Sequence, residues 1–209
     1  GKTSLMSSLL GLTRPGERIV LLEDTAELAP RSDHVVRLEA RPASNDGAPA
    51  IPVEQLVHTA LRLRPDRLVV GEVRGHEVLG LVQALNTGHD GSWSTCHANS
   101  AVDALHRLET LVVQAAPAWP LRAVRDHLVR CIDAVVHVER TAGGRRRVGE
   151  IAEVIDVDGV PGVRPIVRSG EGWAFDTRAG IEELRVRRVG RNELAVVEAL
   201  HGYCDAQRE

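Results

Sequence analysis

The stretch Asp66-Arg67-Leu68-Val69-Val70-Gly71-Glu72-Val73-Arg74-Gly75 decides the fold. Its apolar run, Leu68 to Val70, is short and unbroken, as in a strand buried on both faces of a parallel sheet covered by helices. Gly71 ends the run, and Glu72 follows where such a strand reaches its carboxyl edge. Open α/β sheets bind ligands along that edge. Read alone, this is a core strand followed by a charged turn. The rest of the chain gives Glu72 a second meaning.

Upstream, Arg18 to Leu22 is the next buried strand, and it runs into Glu23-Asp24-Thr25-Ala26-Glu27. That acid cluster is either a solvated loop with a helix-capping Asp, or a set of carboxylates placed to hold Mg²⁺ through water or polarise a nucleophile. His34 to Glu39 has the mixed pattern of an edge strand. Arg41 to Pro52, rich in Pro, Ala, Ser and Gly, reads as a mobile loop. Val53, Leu56, Val57, Ala60 and Leu61 form a helical stripe that stops before Pro65.

Downstream, His76 to Thr87 is helical, with Gly88 as a C-cap. Gly91 to His97 reads as a small-residue strand, followed by Asn99. Ser100 to Asp103 resembles a capping box for the helix bearing Leu105, Leu108, Leu111 and Val112. A helix around Leu121 to Arg130 leads into a strand from Ala134 to Glu139. Strands alternating with helical patterns of about ten residues predict right-handed βαβ units.

The chain opens on Gly1-Lys2-Thr3-Ser4, directly before the helical pattern Leu5, Met6, Leu9, Leu10. Gly-Lys-Thr at a helix start reads as the second half of a P-loop, whose first half is expected upstream. There Lys2 would reach the β/γ-phosphates and the Thr3 hydroxyl would ligate Mg²⁺. Among 26 Lys+Arg residues, Lys2 is the only lysine. A compact ammonium is kept where a planar guanidinium would not serve equally well.

Composition bounds the rest. Hydrophobic residues make up 43% of 209, enough for a core, but aromatics only 2%, so Leu, Val, Ile and Ala must build it. No apolar run approaches the roughly 20 residues of a transmembrane helix, and no secretory signal opens the chain. A net charge of −3 argues against a dedicated nucleic-acid binder. Cys96, Cys131 and Cys204 form no CxxC pair, which points to a reducing cytosolic compartment and away from a structural zinc. After Gly143-Gly144 the texture changes: Arg147 to Val157 alternates like an exposed strand, and Asp158-Gly159 and Pro161-Gly162 are turn signals. Ile181 to Val189 and an Ala/Leu helix around Asn192 to Tyr203 follow. This divides the chain into a core over 1–140 and a small β-rich extension with a terminal helix over 141–209. The arginine runs Arg145–Arg147 and Arg185–Arg188 read as solvated faces.

Four stations thus stand in fixed order at strand-to-helix junctions: Gly1-Lys2-Thr3, Leu22-Glu23-Asp24, Val70–Gly75, and Gly91–His97 with Asn99. The set resembles the type II/IV secretion and pilus-assembly ATPases, and within them the CpaF-like branch of tight-adherence pili. The likeness runs from Gly1 to about Val138 and is densest in RLVVGEVRG (67–75), LNTGHDGSWSTCHANS (85–100) and ALHRLET (104–110). In that family the stations are the Walker A, Asp box, Walker B and His box. The tetracysteine zinc module of some type II relatives is missing.

The resemblance implies a RecA-like P-loop NTPase core, α/β with a mostly parallel sheet, plus a small β-rich C-terminal appendage. It implies a cytoplasmic, ATP- and Mg²⁺-dependent homohexamer docked at the inner face of the plasma membrane on pilus or secretion platform proteins. By the family pattern Gly1, Lys2, Thr3 and Ser4 bind phosphate and Thr3 the metal. Glu23 is the Asp-box acid, close to Mg²⁺ through water. Glu72 positions or deprotonates the attacking water, and His97 reports the γ-phosphate. Arg74 either grips phosphate or pairs with an acid. Gly71 stands where an ordinary P-loop NTPase has a Walker-B Asp. Arg37 and Arg41 are candidates for reaching a neighbouring subunit's nucleotide. A non-hydrolysing assembly module and a RecA-like DNA motor are the competing classes; the acidic balance speaks against the second.

Overall fold

Four parallel strands form the central sheet of the computed structural model, which describes residues 1–44, 47–86, 88–89 and 91–166. β1 (Ile19–Glu23) lies between β2 (Val35–Glu39) and β3 (Arg67–Val70), and β4 (Trp93–Ser94) pairs with the outer side of β3. Ile19 stands opposite Arg67 and Leu22 opposite Val70. The order β2-β1-β3-β4 places the two most apolar strands in the centre, where backbone and side chains are covered on both sides. All five residues of β1 are buried.

Strand side chains alternate between faces, and two cores follow that alternation. Val20, Leu22, Leu68 and Val70 pack with α2 (Val53–Leu61), α3 (Glu77–Asn86), α4 (Ala101–Ala115) and α5 (Leu121–Cys131). Ile19, Leu21 and Val69 pack on the other face with Leu28 and with Met6 and Leu10 of α1 (Lys2–Leu10). Each such aliphatic side chain contributes roughly 1.5–3 kcal/mol when removed from water. The capping predicted at α4 is present: Ser100 Oγ accepts the Asp103 N–H at 3.0 Å.

The amino edge of the sheet is tied by charge. Arg67 Nε and Nη2 donate to the two carboxylate oxygens of Glu17 at 2.6 and 3.2 Å, while Nη1 donates to Gly91 O at 2.9 Å. Gly91 has φ +73°, and a Cβ there would sit 2.2 Å from Arg67 Nη1. The guanidinium thus joins the approaches to β1 and β4 to the start of β3.

Three sequence expectations change. The strand expected over Gly91–His97 pairs only at Trp93 and Ser94; Thr95 turns its hydroxyl to Gly71 O instead. The strand expected over 134–139 is not a further member of the parallel series. As β5 (Ala134–Arg140) it pairs antiparallel with β6 (Arg146–Val157), because a turn closed by Thr141 N–H to Arg145 O at 2.8 Å brings its partner back within a few residues. Pro161-Gly162 lies inside β7 (Val160–Pro165), the outer strand of this second sheet, where a proline is tolerated. The turn is at Asp158-Gly159 alone, both residues at positive φ (53° and 81°) as a two-residue hairpin of the primed type requires.

The Arg41–Pro52 segment, read as a mobile loop, is closed at its base by reciprocal hydrogen bonds between Arg41 and Ile51 of 3.0 and 2.8 Å. Gly1–Arg164 form one compact unit, with the β5–β6 hairpin running across residues 140 and 141. Ile181–Val189, the helix around Asn192–Tyr203 and Cys204 lie outside the described residues. No helix among the described residues is long and apolar enough to cross a membrane.

α2 and α3 meet at Gly80, where a Cβ would lie 2.6 Å from Cγ1 of the fully buried Val57. Gly80→Ala should therefore destabilise by about 1–3 kcal/mol through overpacking, despite the ~1 kcal/mol that alanine gains in a helix interior. A lowered midpoint in thermal melts is the expected result; a raised one would show that the helices separate freely.

Candidate active site

At the carboxyl edge of the parallel sheet, the ends of β1 and β3 and the start of α1 open on a cavity of about 520 Å³. Gly1, Lys2, Thr3, Glu23, Gly71, Glu72, Arg74 and His97 all line it. Residues from four distant parts of the sequence meet here because parallel strands deliver all their exits to one side.

Glu72 leaves β3 just after Gly71 and is the centre of a chain of polar contacts. Its Oε2 pairs with Arg74 Nη2, and its Oε1 lies 2.9 Å from His97 Nε2. His97 Nδ1 in turn lies 3.3 Å from Lys2 Nζ. A lysine ammonium only donates, so Nδ1 is the acceptor in that contact; Glu72 Oε1 lies close to Nε2 but forms no hydrogen bond. Partial burial pushes the Glu72 carboxyl up, but the Arg74 hydrogen bond and charge, with smaller contributions from His97 and Lys2, outweigh it and hold Glu72 below its ordinary value. Glu72 is therefore ionised at neutral pH. The main chain of Arg74 is fixed as well: its N–H and that of Gly75 donate to Glu77 Oε1 at 2.5 and 2.8 Å.

Glu23 is a different kind of acid. Only 4% of it is exposed, and it is the one charged or polar side chain buried among the described residues. Oε1 accepts the N–H groups of Glu27 and Leu28 at 2.9 and 2.8 Å. Oε2 has Arg37 Nη1 at 3.5 Å and no hydrogen bond. A Cβ at position 71 would come 3.1 Å from Glu23 Cγ. Gly71, where an aspartate stands in an ordinary Walker B, is thus what leaves room for the Glu23 side chain.

Thr3 Oγ1 donates to Glu27 Oε2 at 3.4 Å. Ser4 does not line the cavity; its Oγ accepts from the Gly1 nitrogen at 3.3 Å. Cys96 is half-buried, and burial pushes its thiol up, against the charges of Lys2 and Arg107, as befits a packing residue. His89 Nδ1 contacts Ala84 O at 3.2 Å, a turn contact away from the cavity. The two arginines considered for reaching a neighbour are engaged within their own chain. Arg37 Nη2 donates to Leu28 O at 2.5 Å and Arg41 Nη2 to Pro49 O at 3.1 Å.

The antiparallel sheet supplies wall residues that the sequence did not reveal: Val138, Glu139, Arg140 and Arg146. Arg146, read as part of a solvated run, lies with its Cδ 3.3 Å from where a Gly1 Cβ would be. Its neighbour Arg147 instead pairs with Glu139 at 2.6 Å. The useful signal was the Gly143-Gly144 turn, which makes Arg140 and Arg146 direct partners in the ladder.

Lysine, helix start and threonine on one side of a cavity, with an ionised glutamate and a histidine on the other, suit a phosphate ester and a polarised water. A parallel sheet with this site at its carboxyl edge defines the RecA-like α/β class. The chain belongs to the type II/IV secretion system protein family, whose model matches residues 1–196. It is 43% identical over 187 residues to the putative conjugal transfer protein Rv3659c of Mycobacterium tuberculosis (strain H37Rv), covering 90% of this chain and 53% of that one. It is 42% identical over 157 residues to the type IV secretion system protein PtlH of Bordetella pertussis, covering 72% and 46%. The VirB11 ATPase of the Brucella suis type IV secretion system, solved in complex with sulphate, superposes with a TM-score of 0.66 at 30% identity, over 73% of this chain and 45% of that one. The chain spans about half the length of the curated relatives it matches.

Because the Arg74 hydrogen bond and charge are the largest influences holding Glu72 down against burial, Arg74→Ala should raise the Glu72 pKa. Carbon-detected NMR titration of the carboxyl group would read this directly. With the folded value depressed, the native pairing stabilises above the unfolded pKa and is lost as pH falls through the folded one. The variant should therefore lose less stability on acidification than the wild type. An unmoved Glu72 titration would show that Arg74 does not control it.

Proposed function

We propose that this chain carries the catalytic half of an ATP-hydrolysing motor subunit that powers pilus assembly or type II/IV secretion. The observation that carries the reading is the meeting of Lys2, Thr3, Glu72 and His97 around one cavity at the sheet's carboxyl edge. A P-loop completed upstream would hold the triphosphate against the positive end of α1, with Lys2 on the β/γ-phosphates. Mg²⁺ supplies neutralisation of charge developing on the transferring phosphoryl group. The donor set fits a hard cation: the Thr3 hydroxyl, with the carboxylates around it offering oxygen.

Glu72 acts as a fixed negative acceptor that orients the attacking water. A carboxylate held below its ordinary pKa is a weak base, so positioning outranks deprotonation among its two possible roles. His97, between Lys2 and Glu72, joins the phosphate side to the water side and exchanges contacts when the γ-phosphate is present or gone.

The relatives' descriptions as conjugal transfer and type IV secretion proteins support a machine of that kind. The dense likeness in 67–75, 85–100 and 104–110 supports the CpaF-like branch. On this reading the full-length protein works as a homohexamer on the cytoplasmic face of the inner membrane, against platform proteins of the apparatus. Glu72→Gln in the full-length protein should reduce ATP turnover by about 100-fold or more while nucleotide binding persists. Turnover within a few-fold of wild type would remove Glu72 from the chemistry.

A further inference from the structure

The β5–β6 hairpin pairs its charges in two different ways. Its ladder sets Glu139 opposite Arg147 and Arg140 opposite Arg146. The first pair is neutral, with Arg147 Nε donating to Glu139 Oε1 at 2.6 Å. The second sets two guanidinium groups side by side, and like charges directly opposite in a ladder are destabilising. Neither Arg140 nor Arg146 has a carboxylate partner among the described residues. Strand side chains alternate, so Arg140 shares a face with Val138, and both line the cavity together with Arg146.

The one acid on this wall, Glu139, is already committed. The ladder shifts register between His137 and Val138, which leaves Gly149 as the extra residue of a bulge. A Cβ at Gly149 would lie 2.8 Å from Glu139 Cδ, so the glycine makes the room in which that carboxylate reaches Arg147. The other cations of the cavity are engaged too: Arg74 pairs with Glu72, and Lys2 Nζ faces His97 Nδ1. Arg146 lies against the residue that caps α1, its Nε and Cζ 3.4 and 3.5 Å from where a Gly1 Cβ would be. The helix N–H groups favour an anion at that point. Both arginines are exposed, and water would solvate them anywhere on the surface. What singles them out is two unpaired cations on one ladder, on the wall of a cavity that also holds Lys2.

We propose that Arg140 and Arg146 are phosphate-binding residues, two guanidinium forks that the antiparallel sheet brings to the phosphate chain of the nucleotide. The proposal rests on the nucleotide reading of the cavity and gives the second sheet a part in the site. A guanidinium matches phosphate oxygens two bonds at a time, which a point charge such as Lys2 does not. A polyanion between the two arginines also relieves their repulsion. The pair therefore weakens the empty hairpin and strengthens the occupied one.

The test uses the full-length protein, a fluorescent ATP analogue, tripolyphosphate as competitor, and thermal melting with and without ATP. Arg140→Ala and Arg146→Ala should each weaken binding of the analogue by about 10-fold or more, the usual size of a lost charge-assisted hydrogen bond. Competition by tripolyphosphate should weaken by a similar factor. Without nucleotide, both variants should melt at or above the wild-type temperature, while the rise on adding ATP shrinks. Arg146→Lys should recover part of the loss. Arg145→Ala, in the same run but not lining the cavity, should bind like the wild type.

Wild-type affinity in both alanine variants overturns the proposal, and so does an equal loss in Arg145→Ala. Weaker binding of the analogue with unchanged tripolyphosphate competition overturns it as well, by moving the contact to the sugar or base. A fall in the nucleotide-free melting temperature that parallels the lost affinity would make the two arginines packing residues and likewise overturn it. A wild-type protein that binds no analogue overturns the nucleotide reading itself, and this proposal with it.

Discussion

The pairing of β1 with β3 does not stop at Val70: Gly71 N–H donates to Leu22 O at 2.8 Å, carrying the ladder one residue past the strand. That last bond aligns Glu23 beside Gly71 and sets Glu72 at the mouth of the cavity. The glycine at this level of the neighbouring strand gives the buried Glu23 side chain its room. Glu72 faces the cavity because the ladder ends there. Both acids thus depend on one parallel register, which is in turn strongly specified because a slip of one residue would turn the apolar faces of both strands inside out.

The opposite edge of the sheet shows how that register is held. Arg67 gathers Glu17, Gly91 and its own strand through a planar fork, a geometry that lysine's point charge does not offer. The Glu17 carboxyl is correspondingly held below its ordinary range by the Arg67 hydrogen bond, against the pull of burial. In a chain with one lysine, this separation of labour is clear: arginine fixes structure at the amino edge, and the ammonium of Lys2 stands at the carboxyl edge.

The parallel core was legible in the sequence because unbroken apolar runs such as Leu68–Val70 and Val20–Leu22 have few other stable placements. Glu23 and Glu72 were legible because each is a polar residue at the end of such a run, and Lys2 because it is the one lysine, at a helix start. Other features depend on partners far away in the chain. Nothing local to Ala134–Glu139 distinguishes a fifth parallel strand from the first strand of a hairpin; the turn at 141–145 decides it. Arg146 looks like any solvated arginine until the ladder sets it across from Arg140 and over Gly1. The acid cluster was recognised as a unit, but composition cannot say which of Glu23, Asp24 and Glu27 turns inward. That is decided by the space above Gly71 and by the two N–H groups waiting inside the turn.

Thr95 makes two bonds to the exit of β3: its carbonyl accepts the Val73 N–H at 2.8 Å, and its hydroxyl donates to Gly71 O at 2.7 Å. Two residues later stands His97, and between the two anchor points stands Glu72. With β4 only two residues long, this cross-link is the main tether of the histidine to the sheet. The two bonds fix the backbone from which both side chains start, so the separation of their Cα atoms is set by the sheet while the exposed His97 ring stays free to turn about its own side-chain bonds.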